Sequence, residues 1–181
     1  PSGPPTASPR NRRSPLLAQD VSKLTPTEVS AGFAATRWAG RLERLSEDPL
    51  VVIDVGHTPA GVRAALTGFR VLAGSRRAVL VLGVSADKDV SAIVEVLAPS
   101  FETIICASAH HKGAPAALIA AHANAVNPAA EIIVAESVAE ARKLAIAKAR
   151  DGAIYAAGGL FLAAEFKAVH VGRDPAGLGF F

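Results

Sequence analysis

An arginine, a carboxylate and an imidazole stand close together in the sequence around one apolar run. The run starts at Leu50 and reads L-V-V-I-D-V-G-H-T-P, so Asp54 and His57 leave it three residues apart. Upstream lies W-A-G-R-L-E, which supplies Arg41. Thr58 suits a helix N-cap and Pro59 a first helical position, so acid and imidazole are expected at the carboxyl end of a strand, beside a helix N-terminus. Open α/β sheets place their ligands there. A cation and a helix end suit phosphate, and a carboxylate suits ribose hydroxyls, so the set points to a nucleotide. Both Asp54 and His57 are expected on the rim of the sheet and outside the core, so that replacing either changes stability little.

The elements that must position these groups follow from hydrophobic runs and turn residues. Strands are expected at Leu50–Val55, Ala78–Val84, Thr103–Ala107, Glu131–Ala135 and Ala153–Ala157, each short and apolar as buried parallel strands are. Helical patterns lie between them at Pro59–Phe69, Val90–Leu97, Ala114–Ala125 and Val138–Arg150, with a last one at Leu160–Ala168. Such alternation predicts an open, doubly wound, Rossmann-like α/β sheet of five parallel strands. Arg41–Ser46 is expected to add an antiparallel edge strand. The strand exits also carry Gly83-Val84-Ser85-Ala86-Asp87-Lys88-Asp89, Ser108-Ala109-His110-His111-Lys112-Gly113, Glu136-Ser137 and Gly158-Gly159. The opposite connections, Gly74-Ser75-Arg76-Arg77 and Asn127-Pro128, read as ordinary turns. This asymmetry marks one edge as a binding crest.

Composition narrows the class. The chain has 181 residues, half of them apolar, enough for one good core plus an appendage. Residues 1–24, rich in Pro, Ser and Arg, read as a disordered or loosely packed leader. Residues 25–37 read as a helix linking from a preceding domain, and 38–181 as the α/β domain. The net charge is +3, from 19 basic and 16 acidic residues. Arg10, Arg12 and Arg13 against Asp20 account for two of the surplus, leaving a nearly neutral body with 5% aromatic residues. No basic, aromatic-laced face for nucleic acid is visible. No apolar run is long enough for a bilayer span and no signal-peptide pattern opens the chain, so no membrane partner is expected. Cys106 is the only cysteine, which agrees with a reducing, cytoplasmic setting. There is no methionine, which is read as the mark of an excerpt from a longer chain.

Four blocks, in order, carry a family resemblance. W-A-G-R-L-E and D-V-G-H-T-P resemble the W-P-G-R-L-E and D-G-A-H-N-P blocks of folylpolyglutamate synthase/dihydrofolate synthase, members of the Mur-ligase superfamily. G-V-S-A-D-K-D resembles that family's segment ending in D-K-D, and G-G-L-F-L-A-A-E its G-S-L-Y-L-V-G-E. The resemblance spans roughly residues 25–170 and implies the C-terminal domain of such a ligase. It implies an ATP-dependent enzyme of folate and one-carbon metabolism. A pteroate or folate carboxylate is phosphorylated, and the amine of L-glutamate attacks the acyl phosphate. ATP phosphates and Mg²⁺ are then held mainly by an N-terminal P-loop domain. No G-x-x-x-x-G-K-[ST] occurs here, so the chain alone is expected to be inactive.

Carried over block by block, Arg41 approaches the ATP phosphates, Asp54 takes the ribose and His57 faces phosphate or the transferring group. Lys88 contacts a substrate carboxylate or phosphate. Lys112 stands where the family usually shows an arginine-containing turn and is carried over as substrate-binding, as are Gly158 and Gly159, where the family binds the incoming glutamate; no residue is assigned to metal. Two positions depart from the family pattern. Thr58 replaces Asn, and Gly159 replaces a Ser that helps to bind glutamate, a loss of about 1 to 3 kcal/mol for one hydroxyl donor to a carboxylate. Two other readings stand beside this one. One is a stand-alone, non-catalytic α/β module binding a nucleotide or partner. The other is a metal-dependent hydrolase built from Asp54, His57, Asp87, Asp89, His110 and His111, whose spacing matches no regular metal template.

Overall fold

Period-two side-chain alternation organises the molecule. In the strand Leu50–Ile53, Leu50 and Val52 face one layer while Val51 and Ile53 face the other. The computed structural model describes residues 38–178. The leader and linker-helix expectations for residues 1–37 lie outside them. The described strands are β1 Glu43–Glu47, β2 Leu50–Ile53, β3 Ala78–Leu82, β4 Thr103–Cys106, β5 Glu131–Val134 and β6 Ala153–Ala157. They form a six-stranded sheet in the order β1-β2-β6-β3-β4-β5. Five run parallel, and β1 pairs antiparallel with β2 across a register shift between Arg44 and Ser46. The expected Rossmann-like class and its antiparallel edge are both present.

The helices are α1 Pro59–Ala73, α2 Val90–Leu97, α3 Ala116–Val126, α4 Val138–Ala149 and α5 Leu160–His170. Thr58 caps α1 by accepting from the Gly61 N–H at 3.2 Å, and Pro59 opens its first turn. Ser137 caps α4 through the Glu140 N–H, and Asp89 caps α2 through the Ala92 N–H. One face of the sheet is covered by α1, α2 and α3, through Val62, Leu66, Phe69, Ile93, Leu97 and Ile119. The other is covered by α4 and α5, through Val138, Ala141, Ala145, Leu162 and Phe166. Several element ends differ from expectation, two of them with a plain cause. Helix α1 runs a turn beyond Phe69, because Ala73 is still buried and Gly74, at φ +60°, ends it. Helix α3 starts at Ala116 because Pro115 is extended, at ψ 130°.

This topology creates a switch point. Strands β2 and β3 send their helices to one face, whereas β6, lying between them, sends α5 to the other. Loops diverging to opposite faces leave a crevice at the carboxyl ends of the strands, and Gly158-Gly159 lies at its centre. Among the described residues, no helix is long and apolar enough to cross a membrane.

Candidate functional site

Backbone geometry joins the two halves of the first motif. The turn Trp38–Arg41 closes through the Arg41 N–H to the Trp38 carbonyl at 3.0 Å, and the Val55 N–H reaches the Gly40 carbonyl at 2.8 Å. Asp54 completes the join. One carboxylate oxygen accepts from the Leu42 N–H at 3.0 Å, the other from the Gly56 N–H at 2.7 Å. Glycine at 56 follows from this contact, because a Cβ there would lie 2.7 Å from Asp54 Oδ1. Arg41 and His57 are exposed and flank this corner. The His57 Nδ1 lies 3.3 Å from the Val55 carbonyl oxygen, which leaves the rest of the ring toward solvent.

Asp54 therefore corrects one expectation. It is only 2% exposed and sits in the core margin, so it anchors the fold as well as marking the site. Its charge also reaches Tyr155. Burial, and then the Asp54 carboxylate, push the phenol's pKa upward, and among the described residues the Tyr155 hydroxyl has no hydrogen-bond partner.

The other strand exits converge on β6. The Asp54 N–H donates to the Ala156 carbonyl at 3.0 Å, and the Gly83 N–H donates to Ala157 at 3.2 Å. Gly158 adopts φ +111°, and a Cβ there would strike the Gly83 carbonyl oxygen at 2.6 Å. Beside it, the β3 exit is laced to the β4 exit. Ser85 bridges Gly113, the Ala86 N–H donates to the Lys112 carbonyl at 2.8 Å, and the Ala114 N–H to Val84 at 2.8 Å. Lys112 is held there at φ +51°, a conformation that costs a non-glycine residue about 1 kcal/mol or more and needs such support. Lys88 pairs with Asp87 at 2.8 Å; the hydrogen bond from Lys88 chiefly holds the Asp87 carboxyl below its usual range, against a smaller opposing effect of desolvation.

Among the described residues, no three His, Cys, Asp or Glu side chains gather to hold a metal ion. The metal-hydrolase reading loses its requirement: the Asp54 oxygens are engaged by backbone donors, Asp87 by Lys88, and Asp89 by the Ala92 N–H and Ser91 hydroxyl.

The arrangement can be set beside known proteins. Residues 40–159 match the family described as Mur ligase, glutamate ligase domain. The chain belongs to that family. This Mur ligase domain is 32% identical over 149 residues to folylpolyglutamate synthase of Lacticaseibacillus casei, covering 82% of this chain and 33% of the relative. It is 42% identical over 96 residues to dihydrofolate synthase/folylpolyglutamate synthase of Mycobacterium tuberculosis, covering 50% of this chain and 18% of that one. The solved Mycobacterium tuberculosis folylpolyglutamate synthase, complexed with ADP and AMPPCP, aligns with a TM-score of 0.67 at 31% identity, over 84% of this chain and 36% of that chain. The Mur ligase domain thus spans about a third of the length of the first of these relatives. The resemblance to a folylpolyglutamate synthase C-terminal domain, and that domain's fold type, are both shown.

Two residues at the crest are given no individual role by the sequence reading. Glu165 is 3% exposed, and its Oε1 accepts from the His111 N–H at 3.2 Å, tying α5 to the β4 exit. A lone acid on the apolar stripe of α5 was its signal. Ser85 is 6% exposed and lies against the start of α5; the sequence places its loop on the crest without singling it out. A separate cavity of about 570 Å³ lies at the opposite edge, lined by Arg76, Arg77, Glu131, Lys148, Arg150 and Asp151 among others. Much of its charge is internally paired, Arg77 with Glu102 at 3.1 Å and Lys148 with Glu131, and it is remote from the crest.

Proposed function

We propose that the chain is the C-terminal domain of an ATP-dependent amide ligase that joins L-glutamate to a pteroate or folate carboxylate. The observation that carries this reading is the joined corner at β2, where Asp54 clamps the N–H groups of Leu42 and Gly56, the chain neighbours of Arg41 and His57. The Mur ligase family and relatives named as folylpolyglutamate synthases support the reaction class.

In this reaction a substrate carboxylate oxygen attacks the γ-phosphorus of ATP and ADP departs. The glutamate nitrogen then attacks the acyl carbon, phosphate leaves, and the amine gives up a proton. The chain's contribution is electrostatic and positional. Arg41 and His57 would meet phosphate oxygens with charge-assisted or neutral hydrogen bonds. Asp54 is above all a positioning residue; the carboxylate has about four lone-pair sites, so the capacity left beyond its two backbone bonds is what a ribose hydroxyl would use. Lys88 would take an anionic group by exchanging its Asp87 partner, while Lys112 and the N–H groups at Gly158 and Gly159 face the amino acid. Mg²⁺ finds no cluster of ligands among the described residues, so no step here runs through it. A P-loop domain elsewhere in a parent protein, acting in a cytoplasmic setting, would supply the phosphate cradle. Without it this chain forms no amide.

The test is an amide NMR titration of the 181-residue chain with ADP. Saturable shifts should cluster at Arg41, Val55–Thr58 and Gly158–Leu160. Shifts confined to the Arg76 and Arg150 cavity, or no saturable change, would defeat the reading.

A further inference from the structure

We propose that Ser85 is a substrate-binding residue whose hydroxyl donates to a carboxylate oxygen of the amino-acid substrate seated at the N-terminus of α5. This rests on the ligase reading above and adds a residue to its amino-acid site.

Three observations carry it. Helix α5 begins at Gly159, which offers no side-chain cap, so the first-turn N–H groups present partial positive charge without a built-in acceptor. Ser85 is 94% buried and its hydroxyl makes no hydrogen bond among the described residues. Its Oγ is not one of the sealed, unpartnered polar atoms of the core, so it stays reachable from outside and costs the fold little. Its direction is toward α5, because a Cβ built at Gly159 would lie 3.5 Å from Ser85 Oγ, nearer than any other atom. The hydroxyl thus reaches the space that a side chain at 159 would otherwise fill.

The loop holds it there. Ser85 bridges Gly113, its carbonyl accepts from the Lys88 N–H at 3.0 Å, and Ala86 and Ala114 pair across to the β4 exit on either side. A donor fixed by flanking ladder bonds loses little freedom when a ligand arrives. The donors on the Ser85 side are neutral, a hydroxyl and backbone N–H groups; the lysine of the same loop is engaged by Asp87, and Lys112 on the facing loop is the one cation that the ligase reading places there. One cation among neutral donors suits a singly charged carboxylate better than a phosphate dianion, which favours more than one.

The geometry also gives an exchange test. Gly159 has φ 175°, extended backbone that any residue adopts, and its Cβ position makes only ordinary contacts. A serine at 159 can therefore place a hydroxyl where Ser85 Oγ now points.

The experiment titrates the 181-residue chain with L-glutamate, and separately with inorganic phosphate, following backbone amides by NMR in wild type, Ser85→Ala and Ser85→Ala/Gly159→Ser. Glutamate should move the Ser85 and Gly158–Leu160 amides saturably, and more strongly than phosphate does. Ser85→Ala should weaken that binding about tenfold, the effect of one hydrogen bond to a charged group. Its melting temperature should stay unchanged, since the hydroxyl holds nothing in the fold. The double variant should recover most of the lost affinity. Wild-type affinity in Ser85→Ala, a double variant no better than the single, or glutamate shifts elsewhere would overturn the assignment. If ADP still shifts Arg41 and His57 in the same samples, only the Ser85 assignment falls; if ADP shifts nothing on the crest, the ligase reading falls with it.

Discussion

Replacing Asp54 by alanine would leave the N–H groups of Leu42 and Gly56 without their acceptor in a site that water barely reaches. Each lost bond to a carboxylate is worth roughly 1.5 to 3 kcal/mol, so Asp54→Ala should cost about 3 kcal/mol in urea unfolding. His57 is exposed, and His57→Ala should stay within about 0.5 kcal/mol of wild type. The contrast separates two residues that the sequence presents as equals. Their location at a strand exit was legible from L-V-V-I-D-V-G-H-T-P. The anchoring role was not, because one of the donors on Asp54 lies twelve positions upstream and meets it only once β1 folds onto β2. Tyr155 gives the opposite sign. Its hydroxyl is sealed in the core without a partner among the described residues, while its ring stacks on Phe69 at 4.3 Å. Tyr155→Phe keeps the stack and removes the stranded donor, and should raise stability by about 1 kcal/mol in the same unfolding assay.

Among elements, helix starts were legible because Thr58, Asp89 and Ser137 are short polar residues placed just before apolar periodicity. The end of α1 and the start of α3 were less so, since the burial of Ala73 and the extended Pro115 depend on tertiary context. Ser137→Ala should destabilise by about 1 kcal/mol, read from the melting curve. The edge strand β1 is tied to α5 by Lys167 Nζ to Glu43 Oε1 at 2.7 Å, a pairing between residues far apart in the chain. Burial pushes the Glu43 carboxyl upward, but the Lys167 hydrogen bond and charge and the Gly40 N–H together outweigh it and hold the pKa below the ordinary 4.5. A carboxyl lowered in the folded state stabilises above its unfolded pKa, and that contribution disappears as pH falls through the folded value. Wild type should therefore lose melting temperature more steeply below pH 4.5 than Glu43→Gln does.

At the scale of the whole molecule, five apolar runs announced a parallel sheet, but not that β6 inserts between β2 and β3. Strand order is set by how loops and helices share the two faces, and no single run encodes it. That insertion brings Gly158-Gly159 between the Asp54 and Ser85 loops. Cys106 reports on the integrity of this core. It is fully buried, and burial pushes its thiol up to about 12. The native protein should resist thiol reagents until it unfolds, so labelling rates should follow global unfolding across urea concentrations. Rapid labelling in native buffer would contradict the close-packed sheet.

The central claim is that the crest of this domain is one half of a ligase active site. Its most direct test joins the chain to the P-loop-bearing part of a folylpolyglutamate synthase and measures glutamate-dependent ADP release. The fusion should turn over while the isolated chain does not, and Arg41→Ala and His57→Ala should each lower kcat/KM for ATP by about tenfold to a thousandfold, with melting temperatures unchanged. Full activity in both variants, or robust turnover by the isolated chain, would contradict it.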